Sequence, residues 1–343
     1  MDTLLNALQT ALQDPENTTL AQSICGTAYP YQIAQHIQQF CRYRLGTTVE
    51  DCLLLTFSVG TVCGLRLADG RRVLLKLHPP ERSLQELSAV AAVQAQLAAD
   101  GFPCPPVVQP PSVWGGGVVT VEAYLDVGQQ YDAHAPRIRT AMAATLADLI
   151  TRTQQYVRPP GLVQGAVPHD RLWPVPHNAL FNFSRAMAEA AWIDRIAQRA
   201  QATLATTGPR HEAVGHLDWS MKNLRLTDTR VCMVYDWDSL RGEDECIIVG
   251  AAAVHFLVTW DIPVVLTPTP AECLAFVQAY ERARGQPFSH DQHRRIAAAG
   301  TYAMAYTARC EHALDPTGAR IAGSFREILA HAAHGDYIPL PWW

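Results

Sequence analysis

One stretch of the sequence, residues 211–240, concentrates acidic, amide and basic side chains between short runs of strand-forming residues. The polar residues whose spacing could serve chemistry are, in chain order, His216, Asp218, Lys222, Asn223, Asp236 and Asp238. A packing core has no need of so many polar groups. Phosphoryl transfer does need them, because the spread negative charge of the moving group requires a cation clamp and an oriented nucleophile. The stretch therefore predicts a catalytic loop followed by a metal-binding turn.

The order of these residues resembles the signature of the aminoglycoside phosphotransferase family, which is related to choline kinases and, more distantly, to protein kinases. His216, Asp218 and Asn223 have the His-x-Asp-x4-Asn form of a kinase catalytic loop. Asp236 begins the Asp-Trp-Asp sequence that follows a strand-like run. The chain departs from the family at Leu217, where glycine is customary, but the acidic residues are intact.

The resemblance implies a role for each polar residue. Asp218 would orient the acceptor hydroxyl and accept its proton, while Asn223 and Asp236 would hold Mg²⁺. His216 would brace the loop rather than transfer a proton. Lys222 stands where the family usually has a small residue, and it would reach the γ-phosphate. The implied phosphate donor is ATP, with GTP as the alternative nucleotide.

A second lysine lies upstream, and Lys76 and Lys222 are the only lysines in a chain with 27 basic residues. Lys76 closes an apolar strand, where an unpaired ammonium group would be costly. The resemblance makes it the lysine that binds the α- and β-phosphates, and a snorkelling surface lysine is the alternative. Gly60 lies in the turn two strands before Lys76. Backbone N–H groups there could cover the phosphates, although an ordinary hairpin bend accounts for the same glycine.

Three further residues are candidates for the nucleotide site. Glu86 is the acid best placed to pair with Lys76, but Ser83-Leu84-Gln85-Glu86 is also a capping box that would only fix a helix start. Both interpretations stay open. The main chain at Glu122 and Tyr124, in a strand expected to lead into a hinge between two lobes, is the region that would contact adenine in the family.

The elements around these residues predict two domains. Residues 1–123 would form an N-terminal lobe, with a helical segment (1–45) followed by the nucleotide-binding sheet and a helix. Residues 124–343 would form a C-terminal helical lobe with the catalytic loop and the substrate pocket. The predicted fold class is thus α+β, two-lobed and protein-kinase-like, with a small, mostly antiparallel β-sheet in the first lobe.

The three consecutive acids at positions 243–245 have two possible roles. They could bind an amine of the substrate, or they could stabilise the N-terminus of a helix through its dipole.

The composition of the chain restricts the classes of molecule that the protein is expected to bind. The 343 residues are 48% hydrophobic and 17% charged, which is ordinary for a globular protein of two lobes. A formal net charge of −5 argues against nucleic acid and favours a neutral or cationic small molecule. The nine cysteines include no Cys-x-x-Cys pair, so we expect free thiols rather than structural zinc. No apolar run is long enough to cross a membrane and no N-terminal leader is evident, so a cytoplasmic protein is expected. No motif indicates an obligate protein partner.

The predicted activity is ATP-dependent phosphorylation of a hydroxyl on a small molecule, such as an aminoglycoside or another antibiotic. Metabolic kinases of the aminosugar, choline or sugar type are the closest alternative. Two other classes stay open: an ATP-binding pseudokinase scaffold, and a metal-dependent hydrolase with His211, His216, Asp218, Asp236 and Asp238 as ligands. Nothing in the sequence names the acceptor.

Overall fold

A computed structural model provides the structure of the chain, and it describes residues 2–156, 160–184, 187–208, 210–318, 323–331 and 337–338. The chain divides into two compact units. The first comprises Met1–Asp126, Pro160–Leu162 and His177–Leu180. The second comprises Val127–Pro159, Val163–Pro176 and Phe181–Trp343.

The helices and strands follow one another in a mixed order. The strands are β1 (Val49–Phe57), β2 (Thr61–Leu67), β3 (Arg72–His78), β4 (Val107–Trp114), β5 (Gly117–Ala123), β6 (Glu212–His216), β7 (Leu224–Thr227), β8 (Arg230–Val234) and β9 (Leu240–Asp244). The helices are α1 (Asp2–Ala11), α2 (Pro15–Cys25), α3 (Pro30–Phe40), α4 (Leu84–Ala99), α5 (Pro136–Thr153), α6 (Met187–Thr206), α7 (Glu245–His255), α8 (Pro270–Arg284), α9 (His290–Leu314) and α10 (Phe325–His331).

The first unit is built on a five-stranded sheet with the strand order β1-β2-β3-β5-β4, and all of its pairings are antiparallel. Leu65, Leu75 and Val121 on its central strands are buried in one core with apolar residues of α1, α2 and α3. Because side chains alternate along a strand, Lys76 and Glu122 lie on the opposite face. The N-terminal helices therefore cover the face of the sheet that does not carry Lys76.

The second unit is mainly helical, with two short strand pairs, β6-β9 and β7-β8. Apolar residues recur at helical spacing from position 138 to position 153, a pattern that predicts a buried helix. The structure confirms that prediction, because these residues are buried in α5. Thr153 at the end of α5 donates a hydrogen bond to the carbonyl of Val214 in β6, with an Oγ1 to O distance of 2.7 Å. This bond attaches α5 to the strand that leads into the catalytic loop.

Asp244 and Glu245, at the junction of β9 and α7, are used inside the second unit. Asp244 caps α7 by accepting from the N–H of Cys246 and pairs with the buried Arg295. Glu245 accepts from Tyr280 Oη at 2.7 Å and lies 2.7 Å from Arg284 Nε. Both carboxylates are only 2% exposed. Of the two open interpretations, the helix N-terminus is correct for these acids, because buried and fully partnered carboxylates are not available to a substrate amine.

His134, just before α5, lies between two acceptors. Its Nδ1 lies 2.7 Å from Glu272 Oε1 and its Nε2 lies 3.1 Å from the carbonyl oxygen of Val265. The protonated ring suits both contacts, because each of its nitrogens then donates to an oxygen. Burial by itself lowers the pKa of His134, but the bonds to Glu272 and Val265 raise it above the ordinary value of 6.5.

We expect His134→Gln to lower the free energy of unfolding by about 1 kcal/mol at pH 6 and by less at pH 8. Because the pKa is raised in the folded state, the stabilisation is fully present below the unfolded pKa and is lost as pH rises through the folded pKa. Urea unfolding at both pH values measures the difference, with His290→Gln as the control at an exposed histidine. An equal loss at pH 6 and pH 8 would contradict the assigned charge.

Two further features of the structure concern its cysteines and the apolar character of its helices. All nine cysteines are free thiols. Burial raises the pKa of the Cys41 thiol and of the Cys104 thiol to about 12, so both stay protonated at neutral pH. Among the helices that the structure describes, none combines the length and the apolar character needed to cross a membrane.

Candidate active site

In the first unit, Lys76 lies on the central strand β3, opposite Val62 of β2 and Thr120 of β5. Its side chain is half-buried. The turn between β1 and β2 packs directly against it: a Cβ added at Gly60 would lie 2.9 Å from Lys76 Cε and 2.7 Å from the carbonyl oxygen of Leu77. Only glycine permits this close approach. The predicted phosphate-loop glycine is thus in contact with the predicted phosphate-binding lysine.

Glu86 lies in the first turn of α4, and its contacts bear on both open interpretations. The Ser83 hydroxyl accepts a hydrogen bond from the Glu86 N–H at 3.1 Å, which caps the helix. The Glu86 carboxylate is 7% exposed and lies 3.0 Å from Arg82 Nη2. A buried carboxylate with an arginine partner is more than a helix cap. Its pairing with Lys76 stays a prediction.

At the end of β5, the side chains of both predicted adenine-region residues are engaged within the first unit. Gln94 of α4 donates to Glu122 Oε2 at 2.7 Å. The Tyr124 N–H donates to the carbonyl of Arg72 at 3.1 Å, and the Arg72 guanidinium lies 4.8 Å from the centre of the Tyr124 ring. The same ring covers Gly64, where an added Cβ would lie 2.8 Å from Tyr124 Cε2. These contacts fix the strand end, and the predicted adenine contact stays untested.

In the second unit, β6 delivers His216 to the start of the catalytic loop. The imidazole is fully buried, and its Nε2 lies 3.0 Å from the carbonyl oxygen of Tyr235. It makes edge contacts with the rings of Trp219 and Trp237 at 5.9 and 6.1 Å. This position supports the predicted role of His216 in bracing the loop, because a buried imidazole bonded to the main chain has no route to a substrate.

Leu217 takes the place of the customary glycine without backbone strain. Among the described residues, Asp228 and Asp236 are the only non-glycine residues with positive φ. Leu217 donates its N–H to the carbonyl of Ser239 at 3.1 Å, an interaction open to any residue except proline. The departure from the family pattern therefore leaves the loop conformation intact.

Asp218 is held between a cation and an amide. Its Oδ2 lies 2.8 Å from Lys222 Nζ and accepts from Asn223 Nδ2 at 3.0 Å. Asn223 Nδ2 also donates to the Asp218 carbonyl at 2.8 Å. Burial by itself would raise the pKa of Asp218, but the Lys222 charge and these hydrogen bonds lower it to about 2. The carboxylate is therefore ionised at neutral pH, with three of the predicted site residues in one cluster.

Asn223 and Asp236 have the donor types and placement that a magnesium site needs. Because Asn223 gives its amide nitrogen to Asp218, its amide oxygen is left for a cation. The Tyr235 N–H donates to the Asn223 carbonyl at 2.8 Å, so these two residues face each other at the end of the β7-β8 pair. Asp236 is the next residue after Tyr235 and therefore lies close to Asn223. Asp236 has the left-handed values φ 62° and ψ 48°, a conformation that aspartate adopts more readily than most residues.

These two residues alone do not enclose an ion. In the described part of the chain, no group of three or more His, Cys, Asp or Glu side chains is arranged to hold a metal. Mg²⁺ usually takes one or two protein carboxylates and completes its shell with water and phosphate oxygens, so an amide and a carboxylate fit such an open site.

The hydrolase alternative required His211 and His216 to share a metal, and the structure contradicts it. His211 comes immediately before β6 and His216 ends it, so the two residues lie roughly 16 Å apart at the usual strand rise. His211 Nδ1 instead lies 2.8 Å from Glu245 Oε2. That ligand set is therefore wrong.

Two supports of the predicted catalytic loop lie outside the residues that sequence reasoning singled out. The indole of Trp219 is 1% exposed and donates to the carbonyl of Met142 in α5 at 3.2 Å. The N–H groups of Met221 and Lys222 donate to the carbonyls of Phe256 and Val258 at 3.0 and 2.8 Å. The tryptophan beside Asp218 is a sequence signal for the contact with Met142. The main-chain bonds to Phe256 and Val258 have no such signal, because they do not depend on side-chain identity.

The fold and the loop together define a protein-kinase-like phosphotransferase, with an antiparallel sheet in one unit and a helical unit that carries the catalytic loop. A profile of the phosphotransferase enzyme family (APH) matches residues 65–294, about two thirds of the chain. The chain belongs to this family. The predicted family, the fold class and the assignment as a phosphotransferase enzyme are confirmed.

Solved structures with the same fold are distant in sequence, and no curated protein matches the chain. An amicoumacin kinase in complex with AMP-PNP and Ca²⁺ has a TM-score of 0.58 and 11% identity, covering 82% of this chain and 86% of its own. The macrolide 2'-phosphotransferase of Brachybacterium faecium has a TM-score of 0.52 and 16% identity, with coverages of 87% and 97%. The ethanolamine kinase of Plasmodium vivax has a TM-score of 0.54 and 10% identity, with coverages of 88% and 88%.

Proposed function

We propose that this phosphotransferase moves the γ-phosphoryl group of ATP to a hydroxyl group of a small molecule. The observation that carries the proposal is the arrangement of Asp218, with its carboxylate ionised and fixed by Lys222 and Asn223. The family match and the kinase-like fold support the same reaction class.

Asp218 acts on the acceptor. Its carboxylate accepts a hydrogen bond from the acceptor hydroxyl, orients the oxygen toward phosphorus and takes the proton as the new bond forms. A carboxylate with a pKa of about 2 is a weak base, so orientation is its main contribution. This is adequate in a loose transition state, where the hydroxyl becomes acidic late. Lys222, 2.8 Å from the carboxylate, supplies a positive charge to the incoming γ-phosphoryl oxygens.

Asn223 and Asp236 would hold Mg²⁺. When bound, the ion neutralises charge on the β- and γ-phosphate oxygens and shields the phosphorus from repulsion. Asn223 also keeps Asp218 in place through its amide nitrogen, so this one side chain would connect the base and the metal.

Lys76 would bind the α- and β-phosphates, and Gly60 would let main-chain N–H groups approach them.

Because the chain has only two lysines, the proposed role of Lys76 can be tested directly. An acyl-phosphate derivative of ATP acylates lysine amines close to the bound phosphates, and peptide mass spectrometry needs to distinguish only Lys76, Lys222 and the N-terminal amine. We expect labelling of Lys76 that ATP prevents. Labelling confined to the N-terminal amine would overturn the proposed nucleotide site. Protection by GTP in place of ATP decides between the two nucleotides.

The acceptor is proposed as an antibiotic or a metabolic alcohol, since kinases of both kinds share the fold. An ADP-release screen over aminoglycosides, macrolides, peptide antibiotics, aminosugars and choline, each with and without Mg²⁺, tests this. ATP binding without any acceptor-dependent ADP release would favour the scaffold over the enzyme.

A further inference from the structure

The side chain of Arg225, on β7, lies against the main chain on both sides of the proposed magnesium ligand Asn223. Its Nη1 donates to the carbonyl oxygen of Lys222, one residue before Asn223, at 3.2 Å. The same Nη1 donates to the carbonyl oxygen of Leu224, one residue after Asn223, at 3.0 Å. Asn223 ends the 3-10 turn Met221–Asn223, and carbonyl groups at the end of a helical turn lack donors within it. Arg225 therefore supplies a donor that the turn itself lacks.

The same guanidinium contacts the residue that precedes the other proposed ligand, Asp236. The Cζ atom of Arg225 lies 5.6 Å from the ring centre of Tyr235, a distance at which a cation is attracted by an aromatic ring. Arg225 pairs with Met233 in the β7-β8 ladder, so Tyr235 is its diagonal neighbour on the same face of the pair. One side chain thus touches the chain beside Asn223 and the chain beside Asp236.

Arg225 is itself held from a third direction by a polar network. Its Nη2 lies 3.4 Å from Asp261 Oδ2, which also accepts a hydrogen bond from Gln130 Nε2. The hydroxyl of the buried Thr259 donates in turn to Gln130 Oε1. A guanidinium has its five N–H donors in one fixed plane. Contacts with two carbonyl groups, a carboxylate and a ring therefore leave it few other orientations.

We propose that Arg225 is a positioning residue for the magnesium site and holds Asn223 and Asp236 at a fixed separation. The inference rests on the proposed function, in which these two residues bind the ion. They come from different segments, because Asn223 precedes β7 and Asp236 follows β8. Mg²⁺ demands nearly ideal octahedral geometry, so a change in the distance between two ligand oxygens weakens its binding.

The β7-β8 pair has stabilising contacts that do not involve the Arg225 guanidinium. Leu224 and Leu226 are fully buried. The main chain of Leu226 exchanges two hydrogen bonds with that of Gln129, at 3.0 and 2.9 Å. The Arg225 side chain, in contrast, is 26% exposed. Loss of the guanidinium should therefore release the two ligand segments without unfolding the strand pair.

The coupling between Mg²⁺ and nucleotide measures the metal site without turnover. Calorimetry gives the Kd of AMP-PNP with Mg²⁺ and with EDTA, and the ratio of the two values is the factor by which the ion tightens nucleotide binding. Arg225→Ala should lower this factor by about tenfold, a typical loss of metal affinity when a residue that orients a ligand is removed. The Kd in EDTA should stay at the wild-type value, because the Arg225 donors point at the protein and not at phosphate.

The EPR spectrum of Mn²⁺ bound in place of Mg²⁺ reports the ligand geometry itself. Arg225→Ala should broaden this spectrum in the presence of AMP-PNP, because a less constrained pair of ligands gives a wider range of coordination geometries. A purely structural role of Arg225 would lower the thermal stability of the protein and leave the Mn²⁺ spectrum of the folded fraction unchanged.

Two further variants separate positioning from folding, and either one provides the test if Arg225→Ala fails to fold. Arg225→Lys keeps the charge but lacks the planar fork that reaches two carbonyl groups and Asp261, so it should restore the coupling only in part. Asp261→Asn keeps Arg225 and removes the charge that holds it, so it should lower the coupling by a smaller factor. The control is Arg230→Ala, at an exposed arginine of β8 in the same strand pair, which should keep the wild-type coupling.

The outcomes distinguish the inference from the proposed function. Unchanged coupling and an unchanged Mn²⁺ spectrum in the Arg225 variants overturn the positioning role and leave the phosphoryl transfer standing. So does an equal loss of AMP-PNP affinity in EDTA, which would assign Arg225 to the phosphates or to the fold. A wild-type protein that binds no AMP-PNP, or binds it equally with and without Mg²⁺, overturns the proposed function together with its metal site.

Discussion

Replacing Asp218 with asparagine should lower kcat for acceptor phosphorylation by about 10²- to 10⁴-fold, while ATP binding persists. The amide has the same shape but cannot accept the hydroxyl proton. It also loses the 2.8 Å ion pair with Lys222, which leaves that ammonium free to bind phosphate. The affinity for ATP should therefore stay equal or increase, so the loss appears in kcat.

Asp228→Asn is the matched control for this change. Asp228 is an exposed turn residue in the same unit with φ 56°, a conformation that asparagine also adopts readily. We expect wild-type turnover from this control. Acceptor phosphorylation is measured by coupled ADP release with any acceptor found in the screen, and nucleotide affinity by calorimetry with AMP-PNP. An Asp218→Asn enzyme with wild-type kcat would refute the role of Asp218 as base.

The second large effect is expected at Lys76. Lys76→Met should lower kcat/KM for ATP by about 10²- to 10³-fold, because a neutral side chain removes one cation from the phosphates. Lys76→Arg should not rescue it, since a planar guanidinium needs space beside Gly60, where an added Cβ would already lie 2.9 Å from Lys76 Cε. The half-buried position implies that methionine is tolerated by the fold.

Arg66→Met on the neighbouring strand β2 is the control for Lys76. Arg66 is 45% exposed and pairs with Glu50 and Asp51 at the surface, so its loss should change the kinetics less than twofold. Thermal unfolding of both variants separates a binding defect from a folding defect. Wild-type ATP kinetics in a stable Lys76→Met enzyme would contradict the assignment, and the labelling experiment would then show which amine is near the phosphates.

The predictions of α5 and of the compact loop at Asp218 depended on local sequence patterns. The helical repeat at positions 138–153 is buried in α5 because apolar residues every three or four positions can only be covered together. The His-x-Asp-x4-Asn spacing predicts a compact loop, and the structure brings Asp218, Lys222 and Asn223 into direct contact. Residues this close in the chain have few alternative arrangements.

Interactions between distant residues could not be predicted in the same way. Glu245 is partnered by Tyr280 and Arg284, which lie more than thirty residues later, so residue type alone left its role open. The contact between the predicted catalytic loop and the segment after α7 is similar: it depends on main-chain bonds from Met221 and Lys222 to Phe256 and Val258, and these bonds do not depend on side-chain identity.

The sequence by itself predicted the chemistry of the phosphate donor, because the proposed metal-binding and base residues lie in one short motif and Lys76 closes a recognisable strand. Only the tertiary structure decided the role of the acids that follow this motif. The carboxylates of Asp244 and Glu245 are buried by residues from α8 and α9. That burial arises from packing between segments far apart in the chain, so no local pattern could predict it.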